Sequence, residues 1–89
     1  AMKWTVKYSK QADKFLAKSP LDDLDSSIRK AIQRVVLREP TNLDVKKMKG
    51  AWQGFYRIRQ GDLRIILKFE VNAKVVLVYK IGWRGDVYK

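Results

Sequence analysis

The segment 54–69 reads GFYRIRQGDLRIILKF, and it constrains the fold more than any other part of the chain. Two runs of alternating apolar and charged residues flank a Gln-Gly-Asp turn signal, which predicts a β-hairpin. We expect Gln60 and Gly61 to form a two-residue loop, because glycine readily adopts the positive φ that such a loop needs. In this register Arg57 lies directly opposite Arg64.

Side chains alternate between the two faces of a strand, so the hairpin is predicted to have one apolar and one cationic face. The apolar face is expected to carry Tyr56, Ile58, Leu63, Ile65, Leu67 and Phe69. The opposite face is expected to carry Phe55, Arg57, Arg59, Asp62, Arg64, Ile66 and Lys68. Like charges directly opposite each other destabilise a strand pair by roughly a few tenths of a kcal/mol.

Two interpretations of the cationic face follow. In the plainer one it is a solvated outer surface, on which the arginine stems cover apolar atoms. In the one we favour it binds a phosphate group, because a planar guanidinium matches phosphate oxygens with two parallel hydrogen bonds.

The composition supports an anionic partner. The 89 residues include 20 Lys and Arg against 9 Asp and Glu, a net charge of +11. Such an excess predicts binding to nucleic acid, to an anionic membrane surface or to an acidic protein. With no cysteine and no histidine, the chain has no disulfide, no Cys/His zinc site and no catalysis through imidazole or thiol.

The location of the protein is also predicted from the sequence. No apolar run is long enough to span a bilayer and no signal-peptide pattern is present, so we expect a cytoplasmic protein. Binding to a membrane surface is disfavoured, because the first predicted helix is short and weakly amphipathic.

The rest of the chain predicts two helices and two further strands. We expect a strand at 3–8, a helix at 10–18 capped by Ser9, a helix at about 21–38 ended by Pro40, and a last strand at 74–81. Residues 41–54 are expected to form a basic, irregular connection. The last strand is expected to direct Val75, Leu77, Tyr79 and Ile81 towards the helices, with Lys80 on the cationic side.

This order, β-α-α-β-β-β, predicts an α+β fold. We expect residues 2–89 to form one domain, in which a helical hairpin packs on one face of a mostly antiparallel four-stranded sheet. The other face of the sheet, which includes the cationic face of the hairpin, would then be open.

Two motifs, one in the predicted hairpin and one at the end of the chain, resemble a known family. The pattern Tyr-Arg-Ile-Arg-x-Gly-Asp-x-Arg occupies 56–64, and Ile-Gly-x-Arg-x-Asp-Val-Tyr occupies 81–88. Together with the helical hairpin and the basic connection, they resemble the RelE/ParE superfamily of bacterial toxins, and the RelE-like branch in particular. These toxins belong to type II toxin–antitoxin pairs.

The resemblance implies a metal-independent, cofactor-free endoribonuclease that inhibits translation. RelE-like toxins enter the ribosomal A site and cut the messenger RNA codon there, by attack of a 2′-hydroxyl on the adjacent phosphate. The partners implied are a cognate antitoxin and the ribosome with its mRNA and rRNA.

The resemblance also implies roles for five residues. Arg57 and Arg59 match two basic positions that are often lysines in relatives, where one has been considered a general base. Because arginine is almost never deprotonated, we assign both as phosphate clamps and leave the base open. Arg64 matches the transition-state arginine, Arg84 the general acid for the leaving 5′-oxygen, and Tyr88 the tyrosine that orients or stacks at the cut.

Further basic residues are expected to contact RNA without sequence specificity. The predicted contacts are Lys46, Lys47, Lys49, Lys68 and Lys80. A solvated surface explains several of these lysines nearly as well. Trp52 is assigned to packing, whereas Trp83 is left open between packing and base stacking.

Two other functions stay open from the sequence. A ParE-like DNA gyrase poison shares the fold and the terminal Gly-x-Arg motif, although that branch generally lacks the five-residue set given above. A non-catalytic nucleic-acid-binding module needs only the positive charge, and it would lose affinity gradually as single arginines are removed.

Overall fold

The computed structural model describes residues 3–85. Its elements are β1 (Thr5–Tyr8), α1 (Lys10–Lys18), α2 (Leu24–Val35), β2 (Asp44–Lys47), a 3-10 turn (Gly50–Trp52), β3 (Tyr56–Gln60), β4 (Leu63–Glu70) and β5 (Val75–Trp83). The sheet has five strands in the order β1-β5-β4-β3-β2. β1 is parallel to β5, and the other neighbours are antiparallel.

The α+β fold with two helices on one face of the sheet is confirmed, with one more strand than predicted. The additional strand, β2, lies within the predicted connection and pairs with β3 at the sheet edge. Its sequence, DVKK, contains a single apolar residue, Val45, and therefore lacks the alternation that marks a strand. Short, charged strands are typical of sheet edges.

The hairpin turn lies one residue later than predicted. The loop is Gly61-Asp62, Gln60 pairs with Leu63, and Arg59 rather than Arg57 lies opposite Arg64. Gly61 has a φ of 57°, which fits the first position of a Gly-first hairpin loop.

A contact with α2 is consistent with this register. The Ser27 hydroxyl donates a 2.9 Å hydrogen bond to the side-chain carbonyl of Gln60, which keeps Gln60 within β3. The change moves the cross-strand pairing by two residues, so every side chain stays on its predicted face.

The core lies between the helices and the apolar face of the sheet. Its buried members are Ala12, Leu24, Ile28, Ala31, Ile32, Ile58, Leu63, Ile65, Leu67, Val76, Val78 and Ile81. Tyr56 and Phe69 pack against this core at its margin. The predicted apolar face of the hairpin is therefore confirmed.

The prediction for the last strand is wrong at three of its four inward positions. Val76 and Val78 face the core in place of Val75, Leu77 and Tyr79, whereas Ile81 is buried as predicted. The cause is a β-bulge in the β4–β5 ladder: Ile66 pairs with Lys80 and Leu67 with Val78, which leaves Tyr79 as the extra residue. A bulge breaks the period-2 alternation on which the prediction depended.

The beginning of α1 closes the edge of β5 beyond the end of β1. Ser9 caps α1 as predicted, since its hydroxyl accepts a 3.1 Å hydrogen bond from the Ala12 N–H. The Ser9 N–H donates to the Val78 carbonyl at 3.0 Å. The Gln11 side chain donates to the Ile81 carbonyl at 2.7 Å and accepts from the Ile81 N–H at 2.9 Å. No helix within residues 3–85 is long and apolar enough to cross a membrane.

Candidate functional site

The sheet face opposite the helices carries two cross-strand rows of side chains. The first row is Asp44, Arg59, Arg64 and Gly82, and the second is Lys46, Arg57, Ile66 and Lys80. Neighbouring strands lie about 4.8 Å apart, so the basic side chains of these rows share one small area. We call this surface, with Lys68 at its far end, the cationic face.

Asp44 connects two of the predicted clamp residues. Its Oδ2 accepts a 2.6 Å hydrogen bond from Arg59 Nε, and its Oδ1 lies 3.7 Å from Arg57 Nη2. Both arginines are thereby held on the cationic face. No sequence pattern singled out Asp44, because it belongs to the unpredicted strand β2.

The two clamp arginines differ in exposure. The Arg57 side chain is 21% exposed, whereas that of Arg59 is 52% exposed. Arg57 Nε is buried, and it has no hydrogen-bond partner among the described residues. A buried donor without a partner costs roughly 1–3 kcal/mol, and such costs are often found at functional sites.

Arg64 is the buried basic residue of the cationic face, with only 9% of its surface exposed. Its Nη1 donates to the Gly61 carbonyl at 2.7 Å and to the Leu63 carbonyl at 3.0 Å. These hydrogen bonds fix the guanidinium against the hairpin turn. Because carbonyl oxygens carry no formal charge, the two bonds orient the Arg64 cation without neutralising it.

Arg84 is attached to the same turn from the other side. Its backbone N–H donates a 2.7 Å hydrogen bond to the Asp62 carbonyl, and its side chain is exposed. Arg84 follows directly after β5, whose Gly82 pairs with Arg64. One loop therefore positions the Arg64 side chain and the Arg84 backbone. The predicted residue Tyr88 lies outside the described residues.

The predicted RNA-contacting lysines divide between two faces. Lys46, Lys68 and Lys80 lie on the cationic face, where Lys68 Nζ is 3.5 Å from Glu70. Lys49 is exposed and precedes the 3-10 turn. Lys47 pairs with Tyr56 and lines a cleft with residues of α2, so it lies on the helix side of the sheet.

The structure also places the two tryptophans that the sequence singled out. Trp83 packs against Phe15 of α1, with ring centroids 5.7 Å apart, on the helix side. Trp52 contacts Phe55 and Tyr79 on the open side of the sheet. We call Trp52, Phe55 and Tyr79 the aromatic cluster. Tyr79 was missed as a surface residue, because the bulge that turns it outwards has no sequence signal.

The arrangement is suited to binding a phosphate group. Four of the five predicted catalytic residues, all arginines, lie on or at the edge of one face. Residues 3–85 contain no group of three or more His, Cys, Asp or Glu side chains that could hold a metal ion. The chemistry that these residues offer is charge stabilisation and hydrogen-bond donation by preorganised guanidinium groups.

No protein-family model and no curated protein sequence matches the chain. Several solved protein structures, in contrast, match the chain. The RelE–RelB complex of Pyrococcus horikoshii OT3 matches at 29% identity, over 97% of this chain and 100% of that one, with a TM-score of 0.63. The RelB–RelE antitoxin–toxin complex of Methanococcus jannaschii matches at 26% identity, over 92% and 94%, with a TM-score of 0.59.

A third match agrees in fold. The RelBE2 toxin–antitoxin complex of Mycobacterium tuberculosis is 20% identical over 93% of this chain and 100% of that one, with a TM-score of 0.64. The shared fold and the similarity to the two archaeal RelE–RelB complexes confirm the resemblance that the motifs suggested, a likeness of this chain to RelE-like toxins.

Proposed function

We propose that this protein is the toxin of a type II toxin–antitoxin pair, a ribosome-dependent endoribonuclease that cuts messenger RNA in the A site and so inhibits translation. The observation that supports this most strongly is the arrangement around the hairpin turn. Arg59 and Arg64 lie opposite each other on neighbouring strands, and Arg84 is attached to the same turn. Three guanidinium groups near one loop suit a phosphate that gains charge during a reaction.

The reaction proposed is an internal transesterification. The 2′-hydroxyl gives its proton to a base, which is none of the four arginines, and attacks the adjacent phosphorus, and the bond from phosphorus to the 5′-oxygen breaks. The products are a 2′,3′-cyclic phosphate and a 5′-hydroxyl, whose oxygen takes up a proton. No redox change and no added group are involved, so positioning and charge stabilisation account for the protein's contribution.

Each arginine has a role that fits its environment. Arg64, held by two carbonyl groups, stabilises the charge on the non-bridging oxygens in the transition state. Arg57 and Arg59, held by Asp44, clamp the substrate phosphate. Arg84 is exposed and attached through its backbone, and we assign its side chain to the leaving 5′-oxygen, as the resemblance implies. Tyr88 is proposed to orient or stack at the cut, as the resemblance implies.

The proposed partners follow from charge and similarity. The archaeal proteins that this chain resembles were solved in complex with RelB. We propose a cognate antitoxin for this chain as well, since a net charge of +11 suits an acidic partner. The ribosome would supply the remaining positioning of the messenger RNA.

Mapping the 5′ ends of transcripts after induction tests this proposal, with and without a drug that blocks translation. We expect new ends within translated reading frames, carrying a 5′-hydroxyl, and their loss when translation is blocked. Intact messages together with a DNA-damage response would indicate a gyrase poison instead. Intact messages with slowed growth, relieved gradually by single Arg→Ala changes, would indicate a non-catalytic binding module.

A further inference from the structure

The aromatic cluster forms a triangle of rings on the open side of the sheet. The ring centroids are 5.7 Å apart for Trp52 and Phe55, 5.8 Å for Trp52 and Tyr79, and 5.3 Å for Phe55 and Tyr79. The rings come from three places in the chain: the 3-10 turn, the residue before β3, and the bulge of β5.

The exposure of this cluster distinguishes it from core packing. Trp52 and Phe55 are half-buried, whereas Tyr79 is 40% exposed. Packing explains the two inner rings, but it does not require the third ring to face solvent. The β-bulge places two consecutive residues, Tyr79 and Lys80, outside the core between the inward-facing Val78 and Ile81.

Cations border the cluster. Lys68 Nζ lies 5.8 Å from the centre of the Phe55 ring, and Lys80 Nζ lies 6.0 Å from the centre of the Trp52 ring. Lys80 is also in the same cross-strand row as Arg57. Aromatic rings beside a cationic groove are the combination that single-stranded nucleic acids bind, because bases stack on the rings while lysines contact phosphates.

The cluster lies within reach of the proposed cutting site. Arg64 and Lys68 are on the same face of β4, four residues and therefore about 13 Å apart along the strand. That distance corresponds to a short stretch of extended single strand, so one RNA strand is long enough to span Arg64 and the aromatic cluster.

We propose that the aromatic cluster is a stacking site for an unpaired base near the cut, with Tyr79 as the outer ring. Lys68 and Lys80 hold the phosphates beside that base. This inference rests on the proposed function, which makes single-stranded RNA the substrate, and it adds a base-binding site separate from the cut itself, to which Tyr88 is assigned.

A binding experiment with matched oligonucleotides tests this site. The purified toxin is titrated into a short oligoribonucleotide that contains 2-aminopurine, and into the same strand with an abasic position there. We expect Tyr79→Ala and Tyr79→Leu to weaken binding of the first strand by about five- to a hundredfold, the loss of one base–aromatic stack. Neither change should affect binding of the abasic strand, and Tyr79→Phe should bind like the wild type.

Trp83→Ala provides the matched control. Trp83 is 48% exposed, similar to Tyr79, but it lies against α1 on the helix side. The Trp83→Ala variant should therefore bind both strands like the wild type. Thermal unfolding of each variant identifies any loss of binding that is due to unfolding. Tyr79→Phe keeps the ring but removes the hydroxyl, so wild-type binding by this variant attributes the effect of Tyr79→Ala to the lost ring.

The result that would overturn the inference is equal binding of the normal and abasic strands by the wild type, or wild-type binding by Tyr79→Leu. Neither result bears on the proposed function, which is tested separately by the cleavage of translated messages. Conversely, base-dependent binding without any cleavage in cells would overturn the proposed function and keep the stacking site.

Discussion

Asp44 orders two guanidinium groups of the cationic face with one carboxylate. It accepts a hydrogen bond from Arg59 and lies 3.7 Å from Arg57 Nη2. Asp44 is 34% exposed and Arg59 is 52% exposed, so this ion pair contributes little to stability, in the range of about 0–1 kcal/mol. Its effect is therefore expected in the positions of the two arginines rather than in the free energy of unfolding.

Asp44→Asn tests this role. We expect the thermal midpoint to change little, because the pair is partly exposed. We expect messenger RNA cleavage in a reconstituted translation system to fall by about ten- to a hundredfold, since the clamp residues are no longer held in place. Glu39→Gln is the matched control, because Glu39 is an exposed carboxylate that lies beyond the end of α2, outside the cationic face. Wild-type cleavage by Asp44→Asn would exclude a positioning role.

Arg64 presents the opposite case, a cation that is buried and bound to neutral carbonyls. We expect Arg64→Ala to abolish toxicity in cells and to lower the free energy of unfolding by about 1–3 kcal/mol, because two carbonyl groups lose their donor. Unfolding should stay cooperative. Toxicity equal to that of the wild type would remove Arg64 from the site.

At the scale of elements, the sequence predicted which face each hairpin residue occupies but not the register. Alternation of apolar and charged residues determines the face and is visible in the chain. The register depends on the contact of Ser27 with Gln60, which are 33 residues apart and show no local pattern. The β5 bulge and the edge strand β2 were missed for the same reason, since both depend on pairing with distant residues.

The junction of α1 with β5 gives a prediction about stability. Gln11 satisfies both backbone groups of Ile81 where β1 no longer pairs with β5. We expect Gln11→Ala to lower the free energy of unfolding by about 1–3 kcal/mol, because two partly buried groups lose their partner. This corresponds to a decrease in Tm of several degrees, at about 4–8 °C per kcal/mol.

Gln53→Ala serves as the control for this measurement. Gln53 is an exposed glutamine, and its change should alter stability by no more than about 0.5 kcal/mol. Equal thermal midpoints for Gln11→Ala and Gln53→Ala would show that the contacts of Gln11 with Ile81 contribute nothing.

Across the whole molecule, the positive charge is spread over both sides of the sheet, and only one side carries the proposed site. Lys46 and Lys47 are adjacent in sequence, but Lys46 belongs to the row of Arg57 whereas Lys47 pairs with Tyr56 on the helix side. The sequence predicted both as RNA contacts. It could not separate them, because the strand that gives them opposite directions was not predicted.

The salt dependence of RNA binding distinguishes these two lysines. For single strands, the slope of log K against log salt concentration is about −0.7 for each phosphate neutralised. We expect Lys46→Ala to reduce the magnitude of that slope by about 0.7 and Lys47→Ala to leave it unchanged. The reverse order would place the RNA on the helix side of the sheet.

The most direct test of the central claim compares the wild type with Arg84→Ala on a message in active translation. Arg84 is exposed, so the substitution should preserve the thermal midpoint while it removes the group assigned to the leaving oxygen. The account predicts cuts with 5′-hydroxyl ends by the wild type and an intact message with the variant. Wild-type cutting by a folded Arg84→Ala protein, or no cutting by either, would contradict it.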